Sequence, residues 1–371
     1  MMENNNLEKT ILYKNHICLN AKMVNFCGFY MPLQYTSSLE EHMAVRKKSG
    51  IFDVSHMGKF ILCGKNTIKL MQYLTTNDLL KIKIGQAQYN CLINNNGGII
   101  DDLVIYKISE EKLLLIVNAI NIEKNKNWIN YYINKYHYDD INLIDLSKKY
   151  SLLAIQGPLS LSYVQNLTNI SLDKIPFYHF KIGKFSGFEK IFISCTGYTG
   201  SKGLEIYVPN EKTEKIWNDI LEIGKNKIIP CGIASRNSLR LEMGYRLYGQ
   251  DICEDTTPIE AGLSWITKFE KEFIGKKILQ EQKKKIRKHK KFISFIIDEK
   301  GKIPRKGYPL MDDNDNVIGN VTSGSFSPVL KKGIGLGYLW NNYKVNSVFL
   351  SIRNKVIPVK LVKLPFIKLN N

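Results

Sequence analysis

One stretch limits the choice of fold more than any other: residues 89 to 106, Tyr-Asn-Cys-Leu-Ile-Asn-Asn-Asn-Gly-Gly-Ile-Ile-Asp-Asp-Leu-Val-Ile-Tyr. Asn94 to Gly98 tolerate positive φ, and β-branched or aromatic residues flank them on both sides, so the stretch reads as a β-hairpin. Its second strand looks buried apart from an acid pair. Side chains alternate along a strand, which puts Asp101 on a face with Ile99, Leu103 and Ile105, and Asp102 on the other with Ile100, Val104 and Tyr106. At least one carboxylate therefore meets an apolar region. Burying an ionised carboxylate without partners costs roughly several kcal/mol, so such an acid has either donors or a chemical task. The plainer reading is a pair of aspartates capping a turn.

The chain has 371 residues, long for one core, which points to two or three domains. Apolar runs such as Leu113 to Val117 are far too short to span a bilayer, so a soluble protein is expected, with no membrane as a partner. Seven cysteines without a Cys-x-x-Cys pair, and six histidines without ligand spacing, speak for reduced thiols and against a metal centre. There is no phosphate-binding Walker sequence, and Gly333-Ile-Gly-Leu-Gly337 lacks the spacing of a dinucleotide fingerprint. The net charge of +19 is the outlier. Much of it is lysine accompanied by asparagine, a bias that an AT-rich genome produces unaided, but a basic surface still attracts acidic partners.

Along the chain, Ser38 and Glu41 have capping-box spacing and predict a helix through Lys48. The spacing also predicts a helix over 122–136 and strands at 113–118, 152–158, 191–195 and 204–208. Thr196-Gly-Tyr-Thr-Gly200 is a turn that sets Tyr198 beside a strand bearing Glu205. Residues 231 to 246 read as a helix with Arg236 and Arg240 one turn apart. Thr257-Pro-Ile-Glu260 reads as a helix start. The lysine-rich run 276–291 is read as a solvated helix and linker, beyond which short strands and turns indicate a separate all-β domain.

These segments resemble, in order, the glycine cleavage T-protein family of tetrahydrofolate-dependent aminomethyltransferases. The resemblance rests on Gly50-Ile-Phe-Asp-Val-Ser-His-Met-Gly58, Asn96-Gly-Gly-Ile-Ile-Asp-Asp102, Val117-Asn-Ala119, Gln156-Gly-Pro158, Thr196-Gly-Tyr-Thr-Gly200, Ser238-Leu-Arg-Leu-Glu242, Thr257-Pro-Ile-Glu-Ala-Gly262 and Val321-Thr-Ser-Gly324. It implies an α+β cloverleaf of three domains: two mixed α/β lobes with ferredoxin-like elements and a C-terminal antiparallel β-barrel, with folate in the central cavity. The mapping gives a folate-binding region over 1–275, its first lobe about 1–50 and 145–245 and its second about 51–144 and 246–275. A basic linker at 276–291 and a barrel over 292–371 complete it.

By the same resemblance, the partner is the acidic H protein, whose dihydrolipoyl arm carries an aminomethyl group. Tetrahydrofolate takes the carbon as 5,10-methylene-tetrahydrofolate, and ammonia leaves. Asp101 matches the family's catalytic aspartate, Glu205 the acid on the pterin edge and Arg236 a cation on the ligand. Met57, Tyr89, Val117, Asn118 and Tyr198 match pocket walls. No metal is required. Cys195 and Ser201 depart from the family's usual Arg and Glu around the turn. The folate-binding iron-sulfur assembly relatives are the alternative, but their signature cysteine is absent from Lys271-Glu-Phe-Ile-Gly-Lys276. A nucleic-acid-binding protein is disfavoured because the lysines cluster in the linker while the aromatics lie in the pocket motifs. The resemblance and the Asn/Lys bias together suggest a mitochondrial location.

Overall fold

The computed structural model describes residues 7–284, 286, 290–340, 347–353 and 355–369, so part of the basic run at 285 and 287–289 lies outside the described residues. The expected hairpin is present as strands Ala87–Ile93 and Ile99–Ser109. Its turn is held by the Asn94 side chain, whose Oδ1 accepts from the backbone of Asn96 and Gly98, both at 2.9 Å. Gly97 takes φ +79° there. At Gly98 a Cβ would fall 1.7 Å from the Glu254 carbonyl oxygen, so neither position tolerates another residue without strain.

Those two strands begin a five-stranded antiparallel sheet that continues through Lys112–Val117, Gly58–Cys63 and Asn142–Asp145. A six-stranded sheet has the order Phe180–Phe185, Phe188–Ser194, Gly203–Pro209, Tyr150–Gln156, Ser49–Asp53 and Ile228–Pro230. Only its last pair is parallel. Each sheet has an apolar core toward its helices. Leu103, Ile105 and Val117 pack with Leu70, Leu74 and Ile129 behind the five-stranded sheet, while Leu153 and Ile206 pack with Ile216 and Trp217 behind the other. A third core lies between the sheets and includes Phe52, Tyr106, Ile116, Phe180, Phe192 and Tyr207. The order is helices, sheet, sheet, helices, and both faces of Ile99–Ser109 are thereby covered.

The C-terminal strands close into a six-stranded antiparallel barrel. The mixed α/β lobes and C-terminal barrel expected from the sequence are therefore present. The barrel is tied to the rest through polar groups. Arg240, on the helix Ile233–Glu242, pairs with Asp251 at 2.7 Å, and Asp251 accepts from Thr322 at 2.5 Å. Glu242 accepts from Ser327 at 2.5 Å.

Three local expectations need correction. Ser37, not Ser38, caps the helix Ser38–Lys47, and Glu41 turns inward to accept from Tyr35, Gly232 and Ser235. The Thr257 and Glu260 capping box forms with both reciprocal bonds, at 2.9 and 3.2 Å, but closes one turn rather than a helix. Gly262 follows at φ +67°, a left-handed conformation that breaks the turn away from an α-helix. The basic helix Lys276–Lys283 is not wholly solvated: Leu279 is fully buried against the five-stranded layer, beside Gly97.

Candidate active site

Met57, Tyr89, Asp102, Asn118, Tyr198, Glu205 and Arg236 are all half-buried, and several are neighbours: Tyr89 and Asn118 bond Asp102, while Arg236 lies near Glu205 and Tyr198. Asp101 and Asp102 occupy opposite faces of their strand, as alternation requires, and their surroundings differ sharply. Asp101 is fully buried. Its Oδ1 accepts from Asn118 Nδ2 at 2.7 Å and Asn121 Nδ2 at 2.6 Å, and its Oδ2 from the Asn118 backbone at 3.1 Å and Asn125 Nδ2 at 2.5 Å. A carboxylate has about four lone-pair sites, and all of those of Asp101 are filled.

Asp102 accepts only two side-chain donors among the described residues. Tyr89 OH binds Oδ2 at 2.9 Å and Asn118 Nδ2 binds Oδ1 at 2.8 Å. No other side chain among the described residues donates to Asp102, so it keeps acceptor capacity that Asp101 has spent. The sequence expectation gave Asp101 the chemistry; in the structure its four donors leave it no further acceptor capacity. Asn118 Nδ2 bridges the two acids. Burial first, and then the neighbouring Asp102, pushes Asp101 up to about 7, against the three asparagine donors. Burial likewise raises Asp102, opposed by Tyr89 and Asn118.

The remaining expected residues fall on two walls. Tyr89 stacks on Trp265, with centroids 6.1 Å apart and planes 24° apart. Tyr198 lies under the Arg236 guanidinium, 4.7 Å from ring centroid to Cζ, and donates its hydroxyl to the Arg246 carbonyl. Burial lowers Arg236, opposed by Glu205 and Tyr198, and its Nη1 is buried without an acceptor among the described residues. Glu205 accepts from Thr196 at 2.5 Å through Oε2, and its other oxygen takes no donor among the described residues. Burial raises Glu205, opposed by Thr196 and Arg236. Met57 packs with the core between the sheets, and Lys59 Nζ holds its carbonyl at 2.7 Å. Val117 is not brought to this group by its side chain, which is fully buried in the core behind the sheet and packed at Gly58. Arg236 and Arg240 share a helix face but not a role, since Arg240 is committed to Asp251.

Sequence reasoning missed Asn121 and Asn125, whose i, i+4 spacing at the start of the helix Ile122–Lys135 was an available signal. It also missed Tyr106, Thr196 and His56. His56 is buried, its Nδ1 has no partner among the described residues, and burial followed by the Arg236 charge presses it down to about 3. A surface cleft of about 510 Å³ bordered by Tyr73, Tyr136, Tyr138 and Lys271 contains none of these groups. Among the described residues no cluster of His, Cys, Asp or Glu could hold a metal ion, and no helix is long and apolar enough to cross a membrane.

The group therefore offers an orphan guanidinium donor on Arg236 and acceptor oxygens on Glu205 and Asp102, all partly or wholly shielded from water. Comparison with known proteins gives the family of the chain. Residues 12–271 match the GCVT N-terminal domain, and residues 290–368 match the glycine cleavage T-protein C-terminal barrel domain. An aminomethyltransferase of Flavobacterium psychrophilum is 48% identical over 366 residues, covering 98% of this chain and 100% of that one. One from Halothermothrix orenii is 42% identical, covering 97% and 100%. The crystal structure of glycine cleavage system aminomethyltransferase T from Bartonella henselae superposes with a TM-score of 0.89 at 32% identity, covering 98% of this chain and 99% of that one.

Proposed function

Because this chain belongs to the glycine cleavage T-protein family and is an aminomethyltransferase, we propose that tetrahydrofolate lies between Glu205 and Asp102, and that Asp102 is the reacting carboxylate. The observation that carries this reading is the free acceptor capacity of Asp102 beside a saturated Asp101. The residues present fit a folate. A pterin edge offers adjacent N–H donors that the open oxygen of Glu205 can accept, and the orphan Nη1 of Arg236 calls for an acceptor such as a ring carbonyl or a carboxylate.

Folate supplies the two nitrogens that receive the carbon. The carbon exchanges its bonds to sulfur and to the amine for bonds to those nitrogens, releasing a thiol and ammonia. Asp102 stabilises the positive charge that develops on the carbon and takes the proton from the attacking nitrogen. Burial raises its proton affinity, which favours its acting as the proton acceptor. Tyr89 and Asn118 hold its two oxygens in place, and Asp101 fixes Asn118 from behind.

The carbon donor is the aminomethylated lipoyl arm of an H protein, and part of the net charge of +19 serves to attract that acidic carrier. The relatives named above are bacterial and lend no support to a mitochondrial location. Calorimetric titration of Glu205→Gln with tetrahydrofolate tests the ligand placement. The amide turns one acceptor into a donor facing a donor, so affinity should fall about tenfold or more. Wild-type affinity would remove folate from Glu205.

A further inference from the structure

Outside the acid pair, Tyr106 connects the sheet of Asp102 with the sheet of Glu205. Tyr106 leaves the same face of its strand as Asp102, two alternations farther along. It is fully buried and enters a cage of Phe180, Phe192 and Tyr207, whose rings meet it edge-on at 5.8, 5.3 and 5.7 Å. Inside the cage its hydroxyl accepts from Tyr207 OH at 2.8 Å and lies 3.0 Å from Thr196 Oγ1. Thr196 in turn donates to Glu205 Oε2 at 2.5 Å, with Ser194 Oγ 3.0 Å from the same hydroxyl.

Each hydroxyl has one hydrogen to give, so a single direction satisfies the chain: Tyr207 to Tyr106, Tyr106 to Thr196, Thr196 to Glu205. Such a series polarises toward its anionic end, and every member helps hold the next. A different polar array, Ser238 to His42 at 2.8 Å and His42 to Glu242 at 3.0 Å, has the bonding order of a hydrolytic triad. Its three members are buried, and Glu242 is also held by Arg46 and Ser327. That array is a structural knot without an open face.

We infer that Tyr106 is a positioning residue for the transfer reaction: through Thr196 it sets the orientation of Glu205 and its distance from Asp102, so that one ligand meets both carboxylates. The inference rests on the reading of Glu205 as the folate anchor. Its physical basis is that Asp102 and Glu205 belong to different sheets, and the caged Tyr106 with its hydroxyl chain is a rigid link between them. If Tyr106 were only an apolar plug, phenylalanine would serve as well, and the buried hydroxyl would be a desolvation cost without return.

Tyr106→Phe keeps the ring in its cage and cuts the chain. Titration with tetrahydrofolate should show affinity lowered about threefold, the size of one hydrogen bond. The loss of binding on acidification should also begin at higher pH, because Glu205 holds its proton more firmly once its donor chain is shortened. The groups facing Glu205 are Arg236 from the helix, Tyr178 from the preceding loop, Tyr207 from its own strand and Tyr106. Of these, Arg236 is the one charged at neutral pH, and the variant leaves it in place.

Thr196→Val, which removes the direct donor, should cost about tenfold. The double variant should bind no worse than Thr196→Val alone, since Tyr106 acts through Thr196. Wild-type affinity and pH profile in Tyr106→Phe, a loss confined to its melting temperature, or additive effects in the double variant would each overturn the inference. If Glu205→Gln weakens binding while Tyr106→Phe does not, the inference alone falls. If Glu205→Gln binds normally, the reading of Glu205 falls and takes the inference with it.

Discussion

The two faces of the Ile99–Ser109 strand carry one aspartate each, and they differ in what the rest of the chain brings to it. Toward the helices, Asp101 sits beside Leu103 and Ile105 in a core, and three asparagines from residues 118–125 fill its lone pairs. Toward the six-stranded sheet, Asp102 shares its face with Val104 and Tyr106, takes two donors and stays half open. The lesson is that burial of an acid does not mark it as the reacting group. A fully satisfied acid is a structural element, however suspicious its position, whereas unspent acceptor capacity facing a ligand-sized space is what chemistry needs.

The comparison can be broken first on the helix face. Ile105→Ala should cost about 2–5 kcal/mol of stability by leaving a cavity in the core, measured by denaturant unfolding. Folate affinity of the folded protein should stay within about twofold, a shift well under 1 kcal/mol. A large loss of affinity would mean that the two faces are not separable.

Asn118→Ala comes next, because it removes donors from both acids at once. It should cost about 1–3 kcal/mol of stability for the donors lost to buried Asp101 and lower turnover roughly tenfold. A variant with normal turnover would take Asn118 out of the account of Asp102. Tyr89→Phe acts on the open face alone. Losing one hydrogen bond to Asp102 should lower kcat several-fold, roughly the 0.5–1.5 kcal/mol of such a bond, with little change in melting temperature.

A separate effect lies in the pH dependence of stability. Asp101 is raised from its ordinary value of 3.8 to about 7. Between those values the folded chain binds a proton that the unfolded chain has released, so stability falls as pH rises through that window and levels off above it. Melting temperature followed from pH 4 to pH 8 should show this decline in the wild type and a shallower one in Asp101→Asn. Parallel curves would mean that Asp101 titrates normally.

Much of the frame was legible because local chemistry dictated it. The Asn94 to Gly98 turn, the alternation around the acid pair and the turn-rich strands of the barrel follow from residue types at short range. What was not legible depended on groups far apart in sequence. Alternation separates Asp101 from Asp102 but cannot say which face receives Asn121 and Asn125, because that is decided by how the 122–135 helix packs on the sheet. Arg236 and Arg240 are equivalent on a helical wheel until Asp251 arrives from the following segment to claim one of them. Leu279 in a lysine-rich helix looks solvated until Gly97 leaves room for it.

Asp102, and not its neighbour, is the carboxylate proposed to do the chemistry. This is tested most directly by single-turnover transfer from aminomethylated H protein to tetrahydrofolate, with Asp101→Asn and Asp102→Asn compared at equal folate saturation and with folding verified. The account predicts that Asp102→Asn lowers the rate by about two orders of magnitude or more, the range for losing an acid–base or electrostatic group. Asp101→Asn, which perturbs only the support behind Asn118, should stay within about tenfold of wild type. A near-normal rate for Asp102→Asn beside an inactive but folded Asp101→Asn would contradict it.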